Sequence, residues 1–336
     1  MNIIIPMAGR GSRLRPHTLT IPKPLVPVGG KPIVHRLVED ISKVLTSKIV
    51  NIVFIIGDFG AETEKELLEV ADKVGAQGHI RYQKEPKGTA HAVHCAQEFL
   101  EGPVVVAFAD TLFKASFKIN SDDQGILWVK QIDDPSAFGV VKLDNQGNIT
   151  DFVEKPKEFV SDLAMIGIYY FKEAHLLKNE IQYLFDNDII KGGEYQLPDA
   201  LRRLTEAGVL FKPGEVQEWM DCGNKEVTVE TNQKVLTFDW EDHKEMVSSS
   251  AKIKESIIIP PCFIGPNVVL ERCIIGPHVS IGNETIIRSS IISNSIIQNN
   301  SNLHCVTLSN SMIGSNVDYK GTINDISIGD YSQIND

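Results

Sequence analysis

The first residues of the chain, MNIIIPMAGRGSRLRP, combine an aliphatic run, a Gly-x-Gly turn and a cluster of arginines. Residues 3–5, all isoleucine, predict a short buried strand, because β-branched side chains fit a pleated surface covered on both faces. Gly9 and Gly11 then permit a tight turn and a close approach of the backbone to a ligand. The guanidinium groups around this turn belong to Arg10, Arg13 and Arg15. Backbone N–H groups beside guanidinium forks suit an anion, so the pattern favours a phosphate site.

Two common phosphate-binding loops are excluded by the residues that follow the second glycine. A Walker loop ends in Gly-Lys-Ser/Thr, whereas Gly11 is followed by Ser12 and Arg13. A dinucleotide fingerprint needs a third glycine, and the chain has Leu14 there. The predicted phosphate site is therefore of another kind.

Length and composition limit the classes of protein that fit this chain. Its 336 residues suit two domains, and its hydrophobic content of 42% supports ample cores. The apolar runs are far shorter than a membrane span, and the opening lacks the layout of a signal peptide. A net charge of −11 argues against nucleic acid as a bulk partner. The five cysteines form no C-x-x-C pair, so we expect reduced thiols in a cytoplasmic protein.

Residues 1 to about 110 alternate apolar runs with helical patterns, which is typical of βαβ units on a mostly parallel sheet. Residues 50–56 and 104–108 predict buried strands, and residues 33–45 and 62–74 predict helices. Further strands are predicted in ILWVKQI, FGVVKLD, ITDFVEK and AMIGIYYF, and a helix in residues 197–207. The sequence therefore predicts an α/β domain over residues 1–240.

The composition changes after the polar connector at 241–250, and residues 251–336 form a repeat region. The unit Ile-Gly recurs with a turn after it, beginning at Ile264, Ile275, Ile281, Ile313 and Ile328. Aliphatic residues return about every six positions, which is the hexapeptide period of a parallel β-helix. With about eighteen residues in each turn, the region is too short for five turns.

These features together resemble the sugar-1-phosphate nucleotidylyltransferases, also called NDP-sugar pyrophosphorylases. AGRGSRLRPHT is similar to their G-x-G-[TS]-R-L-x-P-x-T signature, and PKPLVPVGGKP follows it. YQKEPKGTAHAV, FADTLF, FGVVKLD, FVEKP, GGEYQLPDAL and WMDCGN then appear in the family order. The resemblance spans essentially the whole chain. It implies a Rossmann-like mixed α/β sheet in the nucleotidyltransferase domain and left-handed coils in the parallel β-helix.

The implied reaction joins a nucleoside triphosphate (NTP) to a sugar 1-phosphate. An oxygen of the sugar phosphate attacks the α-phosphorus in line and pyrophosphate leaves, which requires positioning and charge neutralisation. The resemblance gives Arg13 and Lys23 catalytic roles on the pyrophosphate, and Lys23 lies on a segment stiffened by two prolines. It implies nucleotide contacts at Ala8, Gly9, Gly11, Ser12, Gln83, Gly88 and Thr89.

A magnesium ion is also implied. Asp110 ends the apolar run VVVAFAD, and a carboxylate at the carboxyl end of a parallel strand lies where α/β sheets bind ligands. By resemblance Asp110 is a Mg²⁺ ligand, and Asp221 is the second. Two carboxylates suffice because Mg²⁺ takes its other ligands from phosphate oxygens and water.

The sugar contacts are implied by the same resemblance. Lys155 holds the sugar phosphate, Glu154 and Glu194 approach sugar hydroxyls, and the backbone of Gly139 contacts the sugar. N-acetylhexosamine enzymes of the family often read Asn-Ala-Gly-Ile where this chain has Met165 at the first position, so glucose 1-phosphate is favoured.

The choice of base is implied by Gln83, which lies five residues before Gly88. An amide offers both a donor and an acceptor to the imide edge of uracil or thymine, so dTTP or UTP is favoured. A guanylyltransferase for mannose or heptose 1-phosphate stays an alternative, as does a non-catalytic regulatory subunit. A second activity of the β-helix would need a base such as His278 or His304. An assembly role fits its length better, so we expect a homo-oligomer.

Overall fold

The computed structural model describes residues 1–9, 11–115, 119–120 and 122–321. Arg10 and the predicted repeat at Ile328 lie outside the described residues. The chain divides into two compact units, the first comprising Met1–Val26 and Lys31–Val227 and the second Pro27–Gly30 and Thr228–Asp336. The second unit thus takes a short early segment as well as the C-terminal part. That the chain forms two domains divided by a linker at 241–250 stays a prediction.

The elements up to residue 221 follow the predicted alternation of strands and helices. The strands are β1 (Asn2–Pro6), β2 (Pro27–Val28), β3 (Lys31–Pro32), β4 (Asn51–Ile56), β5 (Gln77–Tyr82), β6 (Val104–Ala107), β7 (Thr111–Lys114), β8 (Gly125–Gln131), β9 (Gly139–Leu143), β10 (Ile149–Glu154), β11 (Leu163–Phe171), β12 (Phe211–Glu215) and β13 (Glu218–Asp221). The helices are α1 (Ile33–Val44), α2 (Ala61–Lys73), α3 (Thr89–His94), α4 (Ala174–Asp186) and α5 (Leu197–Glu206). Short 3₁₀ turns occupy Ser12–Leu14, Lys23–Leu25 and Gln97–Phe99.

The first unit is built on one mixed sheet with the strand order β5-β4-β1-β6-β11-β8-β12-β10-β9. The strands β5, β4, β1 and β6 run parallel, and their central members are almost wholly aliphatic and buried on both faces. From β11 onward the pairs are mostly antiparallel. Because β1 and β6 are parallel neighbours, the residues after each emerge at the same edge of the sheet.

The antiparallel half is fixed to the helix α5 by charged groups around one buried carboxylate. Asp199 is buried and pairs with Lys191 and with Arg202, whose Nη1 donates to it at 2.9 Å. The Nε atom of Arg202 also donates to Asp151 at 3.0 Å, within β10. These contacts hold β10, so the residues at its carboxyl end have a fixed position.

The second unit is a left-handed parallel β-helix together with most of one helix, α6 (Lys225–Glu241). Its strands are β14 (Lys252–Lys254), β15 (Ile257–Ile258), β16 (Cys262–Ile264), β17 (Val269–Glu271), β18 (Ile274–Ile275), β19 (Val279–Ile281), β20 (Ile286–Arg288), β21 (Ile291–Ser293), β22 (Ser295–Ile297), β23 (Asn302–His304), β24 (Thr307–Ser309), β25 (Met312–Ile313) and β26 (Asp318–Lys320). They stack into three parallel sheets.

The coils of the β-helix are slightly shorter than predicted. Hydrogen bonds between successive coils join residues 17 apart early in the region and 16 apart later, instead of about eighteen. The predicted six-residue recurrence is confirmed by the interior, where most of the inner strands bury one aliphatic side chain. Ile264, Leu270, Ile275, Ile281 and Ile287 are 0% exposed.

One buried asparagine joins three parts of the second unit. The Oδ1 atom of Asn232, in α6, accepts hydrogen bonds from the Gly29 N–H at 2.8 Å and from the Ser280 hydroxyl at 2.6 Å. Its Nδ2 atom donates to the His278 carbonyl at 3.5 Å. Asn232 is 0% exposed, so these partners replace water completely. The helix α6, the segment after β2 and the β-helix are therefore held by one side chain.

Two further sequence expectations can be compared with the described residues. No helix in the described ranges is long and apolar enough to cross a membrane. All five cysteines are free, as predicted, and Cys222, Cys262 and Cys273 are buried. The predicted homo-oligomer stays a prediction.

Replacing Asn232 with leucine is expected to lower the free energy of unfolding by about 1–3 kcal/mol, because the Gly29 N–H loses its acceptor in a buried position. Ser280→Ala is the matched control with a smaller loss, since the Asn232 oxygen keeps its bond to Gly29. Chemical denaturation of the full chain measures both. A leucine variant as stable as the unchanged protein would show that this buried contact contributes little.

Candidate active site

The glycine turn after β1 is shaped by its second glycine. Gly11 has φ +61°, in the left-handed region, and its carbonyl accepts the Leu14 N–H at 3.0 Å and the Thr18 hydroxyl at 2.7 Å. Leu14 is fully buried and anchors the 3₁₀ turn that follows. Gly9, Ser12 and Arg13 stay exposed. The turn therefore presents backbone and guanidinium groups outward from a fixed base.

Lys23 lies against this turn and is unusually buried for a lysine. Its side chain is 8% exposed, and its Nζ atom lies 3.2 Å from Asp110 Oδ2. A Cβ atom at Gly11 would lie only 2.6 Å from Lys23 Cβ, so the glycine makes room for the lysine stem. A buried ammonium group with one carboxylate partner is held in one place. The predicted catalytic lysine is thus positioned by the turn, by its flanking prolines and by Asp110.

The two predicted metal ligands lie at the ends of paired strands. Asp110 precedes β7, Asp221 ends β13, and the strands pair so that Asp221 lies opposite Thr111. The Cys222 N–H donates to the Asp110 carbonyl at 3.1 Å, which fixes the two backbones side by side. The antiparallel pair of β7 and β13 therefore brings together two aspartates that lie 111 positions apart in the sequence.

The charges around Asp221 oppose one another. Burial raises the pKa of the Asp221 carboxyl, the nearby Lys23 and Arg13 charges lower it, and the Asp110 charge raises it. A Cβ atom at Gly223 would lie 2.9 Å from Asp221 Oδ2 and 3.4 Å from Arg13 Nη2, so both groups flank that glycine. Two cationic and two anionic side chains therefore meet at this edge of the sheet.

A cleft of about 370 Å³ opens in the first unit over three of these groups, Arg13, Lys23 and Asp110. Of the predicted site residues, the cleft is lined by Ala8, Gly9, Gly11, Ser12, Arg13, Lys23, Gln83, Gly88, Thr89, Asp110 and Glu194. Gly139, Glu154, Lys155 and Asp221 are not among its lining residues. The cleft also takes in Pro86, Phe108 and Gly223, which were not predicted.

Gln83 is held by two hydrogen bonds from its amide nitrogen. The Nε2 atom donates to the Gly88 carbonyl at 3.0 Å and to His91 Nδ1 at 3.2 Å. Because a carbonyl oxygen only accepts, the atom facing Gly88 must be the nitrogen. Both amide hydrogens are thereby engaged, and the amide oxygen is the atom left to meet a ligand in the cleft.

Gly88 needs to be glycine for two reasons. Its φ is +106°, and a Cβ atom there would collide with the backbone of Tyr195. The Ala90 N–H donates to the Tyr195 carbonyl at 3.0 Å, and the Tyr195 N–H donates to the Lys87 carbonyl at 2.8 Å. This close approach carries Glu194 to the cleft.

The predicted sugar-contacting residues form a second group. Gly139 lies opposite Glu154 in the β9–β10 pair, and a Cβ atom on Gly139 would lie 2.8 Å from Glu154 Oε2. Burial raises the pKa of Glu154, the charge of Lys155 lowers it, and the charge of Glu194 raises it. Lys155 is 67% exposed, and its Nζ lies 4.0 Å from Glu154. Glu194 lines the cleft, and its charge affects the pKa of Glu154, so the second group interacts electrostatically with the cleft.

Tyr169 was not predicted as a site residue, although the charges of both Glu154 and Asp110 affect it. It is buried in β11, and its pKa is raised, first by burial and then by the charges of Glu154 and Asp110. Its ring meets Phe108 edge-on at 6.2 Å. The sequence around it reads as an uninterrupted apolar strand, so nothing marked this tyrosine as different from its neighbours.

A metal ion at this site would be bound by the carboxylates and by oxygen atoms of a bound phosphate ligand. The described residues contain no group of three His, Cys, Asp or Glu side chains arranged for a metal ion. Asp110 and Asp221 nevertheless supply hard oxygen donors, and their mutual repulsion is the kind that a divalent cation relieves. The residues present fit Mg²⁺ if phosphate oxygens complete its coordination.

Known archaeal proteins are similar to most of this chain. The chain is 34% identical to a low-salt glycan biosynthesis nucleotidyltransferase, Agl11, of Haloferax volcanii, over 70% of this chain and 66% of that protein. It is 31% identical to a bifunctional protein GlmU of Methanococcus aeolicus, covering 77% of this chain and 60% of that protein. The chain therefore spans less than two thirds of the length of these archaeal relatives.

Other similarities extend further along the chain. A glucose-1-phosphate thymidylyltransferase of Streptomyces antibioticus is 28% identical, covering 94% of this chain and 93% of that protein. The crystal structure of a UDP-glucose pyrophosphorylase complexed with UDP-glucose matches with a TM-score of 0.58 at 21% identity, over 70% of this chain and 98% of that one. At that identity the likeness shows the fold.

The family is settled by the match along the first unit and α6. The nucleotidyl transferase family model matches residues 2–237, which include the glycine turn, Lys23, both aspartates and the cleft. With this match over more than half of its length, the chain belongs to the nucleotidyl transferase family.

Proposed function

We propose that this chain transfers a nucleotidyl group from a nucleoside triphosphate to a sugar 1-phosphate and releases pyrophosphate. The observation that carries the proposal is the convergence of Arg13, Lys23 and Asp110 on one cleft behind a glycine turn. The similarity to the Streptomyces antibioticus thymidylyltransferase over nearly the whole chain supports it.

The chemistry asks little of the protein beyond charge and position. An oxygen of the sugar phosphate attacks the α-phosphorus, the bond to the bridging oxygen breaks, and the electron pair leaves with pyrophosphate. Arg13 and Lys23 would neutralise the charge that develops on the leaving group. A lysine already buried and fixed by Asp110 reorganises little during this step.

Mg²⁺ is proposed as the cofactor, held by Asp110 and Asp221. When bound, it supplies charge neutralisation on the phosphate oxygens of the nucleotide. The protein's own part is to hold the two carboxylates side by side through the β7–β13 pair.

The base is proposed to meet Gln83 and Gly88. The Gln83 oxygen would accept from a ring N–H, and the Gly88 N–H would donate to an adjacent carbonyl. This differs from the sequence expectation, in which the amide supplied both the donor and the acceptor. Uracil and thymine offer such an edge, so dTTP or UTP stays favoured. Guanine offers one as well, so GTP stays an alternative.

The sugar is proposed to be glucose 1-phosphate, with Glu154, Lys155, Gly139 and Glu194 near its hydroxyls and phosphate. Met165 packs against Gly139, so its thioether occupies the place where related N-acetylhexosamine enzymes carry an amide. A thioether is a weak acceptor and no donor, which disfavours an acetamido group.

The experiment that tests the function incubates the protein and Mg²⁺ with dTTP, UTP, GTP or ATP and a panel of sugar 1-phosphates. Pyrophosphate release is the readout. We expect the fastest release with dTTP or UTP and glucose 1-phosphate. If no combination releases pyrophosphate, the non-catalytic alternative is favoured instead.

Replacing Asp110 or Asp221 with asparagine should lower Mg²⁺-dependent kcat at least about a hundredfold, because each removes an anionic metal ligand. Thermal stability without metal should hardly change in Asp221→Asn, because the Asp110 charge repels that carboxylate, and should fall in Asp110→Asn, because the buried Lys23 loses its carboxylate partner. Asp144→Asn, in an exposed turn, is the matched control. A variant at Asp110 or Asp221 with unchanged kcat would contradict the metal assignment.

Gly11→Ala should lower both kcat and stability, because its Cβ would press on the Lys23 stem and the φ of +61° is strained for alanine. A stability loss of about 1–3 kcal/mol is expected. Gly9→Ala is the control for stability, because a Cβ there meets nothing within 4 Å. Equal melting temperatures for the two variants would show that the turn has room to adjust.

A further inference from the structure

His91, on α3, contacts Gln83 but has no role in the proposed function so far. The Nδ1 atom of His91 is 3.2 Å from Gln83 Nε2, and the same amide nitrogen donates its other hydrogen to the Gly88 carbonyl. Because the amide nitrogen of Gln83 donates to both partners, His91 Nδ1 must accept. The His91 ring must therefore be neutral, with its proton on the other ring nitrogen, His91 Nε2.

We propose that His91 is a positioning residue for base recognition, because it and the Gly88 carbonyl occupy both amide hydrogens of Gln83 and leave only the amide oxygen for the base. This inference rests on the proposed function of the cleft. It predicts that the cleft favours bases whose ring nitrogen carries a proton, as in uracil, thymine and guanine. Adenine and cytosine place a lone pair at that ring nitrogen, opposite the Gln83 oxygen.

The surroundings of His91 keep its ring neutral. Burial lowers its pKa below the ordinary 6.5, as do the charges of Lys87 and His94, while the side chain and backbone carbonyl of Glu85 raise it. From α4, the group facing the ring is the aromatic Phe185, with centroids 6.1 Å apart. We call the hydrogen bond from Gln83 Nε2 to His91 Nδ1 the lock. Because the pKa of His91 is lowered, the lock holds at neutral pH and is lost when the medium is acidified.

Protonation of His91 would make its Nδ1 a donor and so remove the acceptor that Gln83 Nε2 contacts. An imidazolium Nδ1–H points a donor at the Gln83 amide nitrogen, which is also a donor, while the Gly88 carbonyl still holds that nitrogen. The amide is then displaced, and KM for the nucleotide should rise with acid while kcat changes less.

The lock itself is tested on the free protein by NMR with ¹⁵N-labelled histidine at pH 7.5. We expect a neutral His91 with its proton on Nε2. A proton on Nδ1, or an imidazolium at this pH, would overturn the inference. This readout needs no activity, so it is independent of whether the proposed function holds.

The consequence is tested by kcat/KM for dTTP, UTP, ATP and CTP. In His91→Leu the preference for dTTP over CTP and ATP should fall on the order of tenfold to a hundredfold, mainly through KM for dTTP. His91→Gln should retain the preference, because its side-chain oxygen can accept. His94→Leu is the matched control, since His94 packs on the same Phe185 while the hydrogen bonds of the Gln83 amide nitrogen go to Gly88 and His91.

Two outcomes separate the claims. A His91→Leu variant with unchanged base preference, or a His94→Leu variant with the same change, would overturn the role of His91. A protein that turns over no nucleotide would contradict the proposed function, while the NMR result would still decide the lock.

Discussion

The site depends on holding two carboxylates beside each other at the edge of a sheet. Asp110 and Asp221 are brought together by the antiparallel pair β7 and β13, and burial together with the Asp110 charge raises the pKa of Asp221. Lys23 and Arg13 offset that cost. An arrangement that is unfavourable without a ligand suits a cleft that receives a cation and a phosphate chain.

Backbone geometry provides the room for this cluster. Gly11 allows Lys23 to lie behind the turn, and Gly88 allows the loop at Tyr195 to approach α3. Side chains on rigid elements then occupy fixed places, with Arg202 and Asp199 holding β10. The cleft is therefore preorganised by close approaches that only glycine permits.

The sequence predicted most of the fold and the residues that line the cleft, because motifs such as the glycine turn and the hexapeptide period are local. It did not predict contacts between distant residues. Asn232 reaches Ser280 across 48 positions and Gly29 across 203, and nothing local marks either pair. Tyr169 is hidden in an apolar strand, and His91 lies on a helix of six residues, too short to stand out.

The central claim is that the cleft breaks the bond at the α-phosphorus of a nucleotide. A ³¹P NMR time course with dTTP, glucose 1-phosphate and Mg²⁺ tests it most directly, because it identifies the bond that is cleaved. The account predicts that the triphosphate signals are replaced by those of a sugar-linked diphosphate and pyrophosphate in equal amounts. Appearance of a nucleoside diphosphate with inorganic phosphate, or no change, would contradict it.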